Sequence, residues 1–208
     1  MRNRNKILKP IVFVAALVPL ALLGIDAFRG NLGANPIEKI THQTGLWTLI
    51  LLLVTLSITP LRRISGVNWL IQYRRMIGLF AFFYGCLHLT TYVWLDQFFD
   101  FHAMLHDVYK RPFITAGFTG FLLMVPLALT STQWSIRKLG KKWQTLHRLI
   151  YFSALAGVIH FIWLVKKDIQ EPVMYAIILG ILMSIRVFYW VRNWRRKIVP
   201  AARPVNVS

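Results

Sequence analysis

The chain has 208 residues, of which 56% are hydrophobic and 14% aromatic, and its formal net charge is +18. A soluble domain of this length does not need so much apolar surface, so the composition indicates a membrane protein. The positive charge would suggest nucleic-acid binding in a soluble protein, but its placement around the apolar segments excludes that interpretation.

Six apolar segments follow one another, each close to the roughly 20 residues that cross a bilayer as a helix. They predict transmembrane helices at about residues 9–26, 42–61, 76–95, 112–134, 146–165 and 172–191. The first segment follows the basic stretch MRNRNKILK and lacks a small-residue cleavage motif, so we expect a retained helix and not a secretory signal. The sequence therefore predicts an all-α polytopic membrane protein, a six-helix bundle that forms one domain over residues 1–208.

The charged side chains divide between the two ends of these helices. One end carries most cations: Arg2, Arg4, Lys6, Lys9, Arg62, Arg63, Arg74, Arg75, Arg137, Lys138, Lys141, Lys142, Arg148, Arg192, Arg195, Arg196, Lys197 and Arg203. The other end carries all seven acids and six cations: Asp26, Glu38, Asp96, Asp100, Asp107, Asp168, Glu171, Arg29, Lys39, Lys110, Arg111, Lys166 and Lys167. Because positive loops face the cytoplasm, we expect a multi-pass inner-membrane protein with both termini cytoplasmic. Membrane lipid, and not nucleic acid, is then the partner of the basic face.

Two histidines lie deep within predicted helices. His88 is eight residues before Asp96, and His160 is six residues before Lys166. At about 1.5 Å per residue, both imidazoles lie roughly 9–12 Å below the outer boundary, on the third and fifth helices. Two imidazoles at one depth can ligate the two faces of one heme iron. The alternative is a buried pair that bonds to carbonyls or to each other.

His147 lies at the inner end of the fifth helix, about 20 Å from His160 along the helix axis. That separation suits an inner heme, but on a straight helix the two side chains would point roughly 140° apart. The third helix offers Arg74 and Arg75, and no second histidine, in the matching positions. The alternative for His147 is an interfacial residue beside Arg148.

Three arginines at the inner ends of the helices are candidate cofactor-binding residues. Guanidinium groups bind heme propionates and phosphates in a two-pronged geometry, so Arg74, Arg75 and Arg148 could hold a cofactor. Arg186, within the last predicted helix, is a further candidate of the same kind. The aromatic residues Trp69, Tyr73 and Trp143 nearby could stack on a flavin ring. The alternative is that these arginines are only flanking charges at the membrane interface.

The order of several short motifs resembles one known family. The motifs are NLGANPIEKITHQTG (31–45), ITPLRR (58–63), YRRMIGL (73–79), LHLTTY (87–92), RPFITAG (111–117), LALTSTQWSIRKLGKKWQTLHRLIY (127–151) and IHFIW (159–163). They cover nearly the whole chain, which is identified as a member of the MsrQ (YedZ) family. That family is related to ferric-reductase-like transmembrane heme domains.

The resemblance implies a b-type cytochrome with one or two hemes, whose ligands match His88, His147 and His160. It also implies FMN, a quinol or a cytosolic flavin reductase as donor, and a periplasmic molybdopterin subunit (MsrP-like) as heterodimer partner. That partner reduces methionine sulfoxide in oxidised envelope proteins. The chain has no GxGxxG segment, in agreement with an external donor. In this role it is an electron-transfer subunit of an oxidoreductase complex and not its catalytic subunit.

Two other functions remain alternatives at this point. A stand-alone ferric or quinone reductase would use the outer heme edge directly. A proton-conducting transporter would use the histidines as relays, but the predicted helices contain no Asp or Glu between their outer boundaries.

Overall fold

A computed structural model describes residues 2–165 and 168–198, with side chains over 7–165 and 168–195. Within these ranges there are nine α-helices and no strand. The helices are α1 (Arg2–Phe28), α2 (Pro36–Ser65), α3 (Arg74–Thr90), α4 (Phe101–Lys110), α5 (Pro112–Leu129), α6 (Gln133–Leu139), α7 (Lys141–Leu146), α8 (Leu149–Leu164) and α9 (Gln170–Ile198). Lys166, Lys167 and Arg203, which entered the charge prediction, lie outside the described residues.

The predicted number of membrane spans is confirmed over the described ranges. Six helical segments are long and apolar enough to cross a membrane: Ile7–Phe28, Pro36–Ser65, Asn68–Asp96, Pro112–Leu129, Lys141–Leu164 and Gln170–Arg195. The third combines a 3₁₀ helix (Asn68–Tyr73), α3 and a π-helix (Thr91–Asp96). The chain therefore has the all-α, six-span architecture that its hydropathy predicts.

The fourth span is shorter than the predicted 112–134 because polar side chains end it early. The Thr130 hydroxyl donates to the Pro126 carbonyl at 2.6 Å, in the last turn of α5. The Thr132 hydroxyl then accepts the Ser135 N–H at 3.1 Å and caps α6. Hydroxyls that bond to nearby backbone groups compete with helix propagation, and here they turn the chain between α5 and α6.

The outer loop predicted between residues 96 and 111 contains a helix that the hydropathy pattern does not reveal. Asp100 caps α4 by accepting the Ala103 N–H at 2.9 Å. Asp107 faces inward and is only 8% exposed. It accepts a bond from the Tyr92 hydroxyl at 3.3 Å and pairs with Arg111 at 3.2 Å. These contacts attach α4 to the outer ends of the third and fourth spans.

Four helices form the centre of the bundle, and two lie at its edge. The most extensive contacts pair α2 with α3 and α5 with α8. In the most apolar stretch of α1, 6% of the residues are buried, against 50% in α2. Leu52 and Leu56 of α2 are 2% and 0% exposed. The core of the protein is therefore the pair of hairpins α2–α3 and α5–α8, with α1 and α9 packed outside it.

The first helix is attached to this core through its own backbone. The Tyr84 hydroxyl donates to the Ala16 carbonyl at 2.8 Å and accepts the Leu20 N–H at 3.2 Å. In an uninterrupted helix these two backbone groups bond to each other. Tyr84 therefore bonds to both backbone groups of one rung of the α1 ladder, next to Pro19, a residue that kinks helices.

The last helix is attached in a similar way by Arg186. Its Nη2 donates to the Leu56 carbonyl at 2.6 Å, and its Nη1 donates to the Tyr151 hydroxyl at 2.8 Å. Residue 60, whose N–H would normally bond the Leu56 carbonyl, is a proline and has no N–H. Arg186 therefore supplies the hydrogen bond that Pro60 removes from α2.

This contact makes a prediction about stability. We expect Arg186→Met to destabilise the protein by about 1–3 kcal/mol, the usual cost of an unsatisfied buried carbonyl. Adding Pro60→Ala restores a backbone N–H for Leu56, so it should stabilise the Arg186→Met background more than the wild type. Reversible unfolding in mixed detergent micelles measures both differences.

The matched control is Arg192→Met, since Arg192 is exposed on the same helix and contacts the Tyr189 ring at 4.6 Å. We expect no coupling between that change and Pro60→Ala. Equal effects of Pro60→Ala in the wild type and in Arg186→Met would show that Arg186 does not replace the missing backbone bond.

Candidate heme-binding site

The structure brings the two deep histidines together. His88 in α3 and His160 in α8 have ring centroids 6.0 Å apart, and their ring planes cross at 73°. Each histidine belongs to a different hairpin, so the site lies where the two hairpins meet. Among the six histidines of the chain, these two form the pair that the depth argument predicts.

Each ring is oriented by a backbone carbonyl of its own hairpin. The Nδ1 of His88 lies 2.9 Å from the Thr41 carbonyl in α2, and the Nδ1 of His160 lies 2.6 Å from the Phe113 carbonyl in α5. A carbonyl oxygen only accepts hydrogen bonds, so Nδ1 carries the proton in both rings. The lone pair of each ring is therefore on Nε2.

This arrangement fits a metal held between two imidazoles. Rings that bind one metal from opposite sides, with metal–nitrogen bonds of about 2.0 Å, have centroids roughly 6 Å apart. The observed separation is 6.0 Å. Metal-binding histidines also characteristically donate their other N–H to a carbonyl or carboxylate, as both rings do here. The donor set of His88 and His160 therefore suits the two axial positions of a heme iron.

Two further polar groups lie beside the pair. The Thr41 hydroxyl is buried and has no hydrogen-bond partner within the described part of the chain. His42 contacts the Phe161 ring, with centroids 5.7 Å apart. His42 thus belongs to the outer rim of the site.

His147 has different partners at the inner end. Its ring stacks on Trp143 at a centroid distance of 3.9 Å, and its Nε2 lies 3.1 Å from the Thr130 hydroxyl. Trp143 in turn donates to the Thr130 carbonyl at 2.9 Å. These contacts tie His147 to the connection between α5 and α6. The straight-helix argument does not apply, because α7 ends at Leu146 and α8 begins at Leu149.

The three candidate arginines are separated by the structure. Arg74 lies close enough to His147 and to Arg186 to act on both electrostatically. Arg75 instead lines an open groove of ≈ 560 Å³ between α1 and α3, together with Lys9. Arg148 is exposed at the start of α8. Of the three, Arg74 is thus the one placed beside the inner histidine.

Two features of the site escaped the sequence interpretation. The first is the bond from Arg186 to the Leu56 carbonyl, since the sequence suggested only a cofactor-binding or flanking role for this arginine. The proline at position 60, four residues after Leu56, was the available signal. The second is an internal repeat. Three pairs of residues are each separated by 72 positions: Gly45 and Gly117, Gly85 and Gly157, and His88 and His160. The structural counterpart is the spacing of 47 residues between carbonyl and histidine, which is the same in both hairpins.

Comparisons with known proteins agree with this architecture. The family described as ferric reductase like transmembrane component matches residues 44–158. Three relatives carry the name protein-methionine-sulfoxide reductase heme-binding subunit MsrQ. The protein of Herminiimonas arsenicoxydans is 52% identical over 92% of this chain and 88% of its own length. That of Azospira oryzae is 50% identical over 95% and 88%. That of Rhodospirillum rubrum is 47% identical over 97% of both.

No solved structure gives a significant match. The family match includes all of α3 and α5 and most of α8, and the relatives extend over almost the whole length of the chain. The identification that the sequence motifs suggested is confirmed. The chain belongs to the MsrQ family of ferric-reductase-like transmembrane proteins and is a multi-pass membrane protein.

Proposed function

We propose that the chain is a b-type cytochrome subunit that carries electrons across the inner membrane to a periplasmic methionine sulfoxide reductase. The observation that supports this most directly is the His88–His160 pair, whose spacing and hydrogen bonds suit axial ligation of heme iron. The names of the relatives, heme-binding subunits of such a reductase, agree with it.

Heme bound between these residues would supply a one-electron carrier within the membrane. The protein residues orient and insulate it. The carbonyls of Thr41 and Phe113 fix the two imidazole planes and make the Nε2 atoms better donors to the metal. The surrounding helices are apolar, which limits water access to the ligands.

The two ends of the bundle suit different electron partners. All seven acids were assigned to the outer end, where we propose that a molybdopterin subunit docks as the heterodimer partner. The inner end carries His147, Arg74 and Trp143, a combination of cation and aromatic rings that suits a quinol, a flavin reductase or bound FMN. Electrons would then enter near His147 and leave past His88 and His160.

Reconstitution in vesicles tests this function. With a quinol or a flavin reductase as donor at the inner face, we expect an MsrP-like reductase at the outer face to reduce methionine sulfoxide. Turnover should require the wild-type chain, since electrons must pass through the bilayer. Turnover should be lost in His88→Ala and kept in the matched control His106→Ala, because His106 is an exposed residue of α4 and does not belong to the His88–His160 pair. Reduction of ferric iron at the outer face, without delivery to the reductase, would instead indicate a stand-alone ferric reductase.

A further inference from the structure

Each candidate ligand ring packs against a glycine of the neighbouring helix. A Cβ atom at Gly45 would lie 2.9 Å from Cε1 and 3.0 Å from Nδ1 of His88. A Cβ atom at Gly117 would lie 2.7 Å from Nδ1 and 3.0 Å from Cε1 of His160. These separations are shorter than van der Waals contact. Only glycine therefore allows the two helix backbones to approach the rings this closely.

The same turn of each helix provides the carbonyl that orients the ring. The Thr41 carbonyl lies four residues before Gly45, and the Phe113 carbonyl lies four residues before Gly117. The hydrogen bond holds Nδ1 of each imidazole, while the glycine backbone limits where the Nδ1–Cε1 edge can lie. Each ring is therefore positioned by two contacts with one helical turn.

The repeat shows that this arrangement occurs twice. In both hairpins the histidine that donates lies 47 residues after the carbonyl that accepts, and each glycine and histidine recurs after 72 residues. Not every repeated glycine makes such a contact. A Cβ at Gly85 would lie 3.5 Å from Phe121, and one at Gly157 would lie 3.7 Å from Leu49, which are ordinary distances. The close approach is thus specific to the glycines that face the histidine rings.

We propose that Gly45 and Gly117 are positioning residues that set the orientation of the His88 and His160 imidazole planes on heme iron. This inference rests on the proposed heme ligation. The angle between two axial imidazole planes governs the anisotropy of low-spin ferric heme, and planes that are nearly perpendicular give a large highest g value. The crossing angle here is 73°. A side chain at either glycine would push its ring away from the carbonyl and change that angle.

The experiment compares Gly45→Ala and Gly117→Ala with Gly85→Ala in the purified full-length protein. We expect the two ring-facing variants to shift the highest g value in the electron paramagnetic resonance spectrum and to shift the heme reduction potential, or to lose heme. Gly85→Ala, the same substitution at an ordinary contact, should leave the spectrum, the potential and the heme content unchanged. Unaltered spectra and potentials in both ring-facing variants would overturn the inference, as would equal shifts in Gly85→Ala.

A second measurement covers the case in which Gly45→Ala does not fold. Removal of the opposing ring in Gly45→Ala/His88→Ala should restore folded protein, because the added methyl group then has no ring to meet. A double variant that misfolds as badly as Gly45→Ala would overturn the inference. A wild-type protein that binds no heme would contradict the proposed function itself, which is a different outcome from those above. Heme that is present and spectroscopically identical in all glycine variants overturns only the positioning role.

Discussion

We expect the purified protein to show a low-spin heme spectrum, and we expect replacement of His88 or His160 by alanine to abolish it. Each change removes one of the two imidazole rings, whose centroids lie 6.0 Å apart, and with it one candidate Nε2 donor. It also leaves the carbonyl of Thr41 or Phe113 without its ring partner. A reduced-minus-oxidised difference spectrum, normalised to protein, measures the loss. The absorbance band of six-coordinate low-spin heme should therefore be lost from both variants.

The control for this experiment is His102→Ala. His102 is exposed on α4, and its removal should leave the heme spectrum intact. Full spectral intensity in both His88→Ala and His160→Ala would falsify the ligand assignment. A wild-type protein that purifies without colour would instead favour the transporter alternative, in which the histidines relay protons.

The second large effect concerns the inner end. We expect His147→Ala to block reduction of the heme by the physiological donor while the heme itself stays bound. His147 stacks on Trp143 and contacts Thr130 at the connection between α5 and α6, away from the His88–His160 pair. The substitution therefore disrupts the proposed site of electron entry at the inner end, while both proposed heme ligands, His88 and His160, stay in place. Vesicles with the donor inside, compared with vesicles given a small reductant from outside, separate the two steps.

The neighbouring arginines provide a matched comparison for this prediction. Arg74 lies near His147, whereas Arg75 lines the groove beside α1. Arg74→Ala should therefore slow donor-driven reduction more than Arg75→Ala. Donor-driven reduction that is unchanged in His147→Ala and Arg74→Ala would remove the inner-site proposal and leave the outer heme proposal standing.

Much of the fold could be predicted because the bilayer imposes a length and a composition on each span. Each of the six predicted segments overlaps one helix that is long and apolar enough to cross a membrane, over the described residues. The ends of the helices were harder to predict from the sequence. Thr130 and Thr132 end α5 and begin α6 through side-chain hydrogen bonds, and hydropathy does not record such bonds. The α4 helix was missed for a similar reason, since its cap at Asp100 lies in a polar loop.

The candidate site was predicted in part. Depth along the helices paired His88 with His160, because two positions at one level of a bundle can meet. Depth alone does not give the direction of a side chain, so the Thr41 and Phe113 carbonyls were not foreseen. The direction of the His147 side chain was not predicted either. The helix is interrupted at residues 147–148, between α7 and α8, so the angle expected for a straight helix does not hold.

The division of the site between two hairpins has a consequence for biogenesis. His88 belongs to α3 in the first hairpin, and His160 belongs to α8 in the second. Under the proposed ligation, a nascent chain that has inserted only its first three spans presents one axial ligand and cannot enclose the iron. Cofactor capture must therefore wait until the fifth span has left the ribosome and entered the bilayer. The heme would then join the two halves of the protein late in its synthesis, as a bridge between segments made at different times.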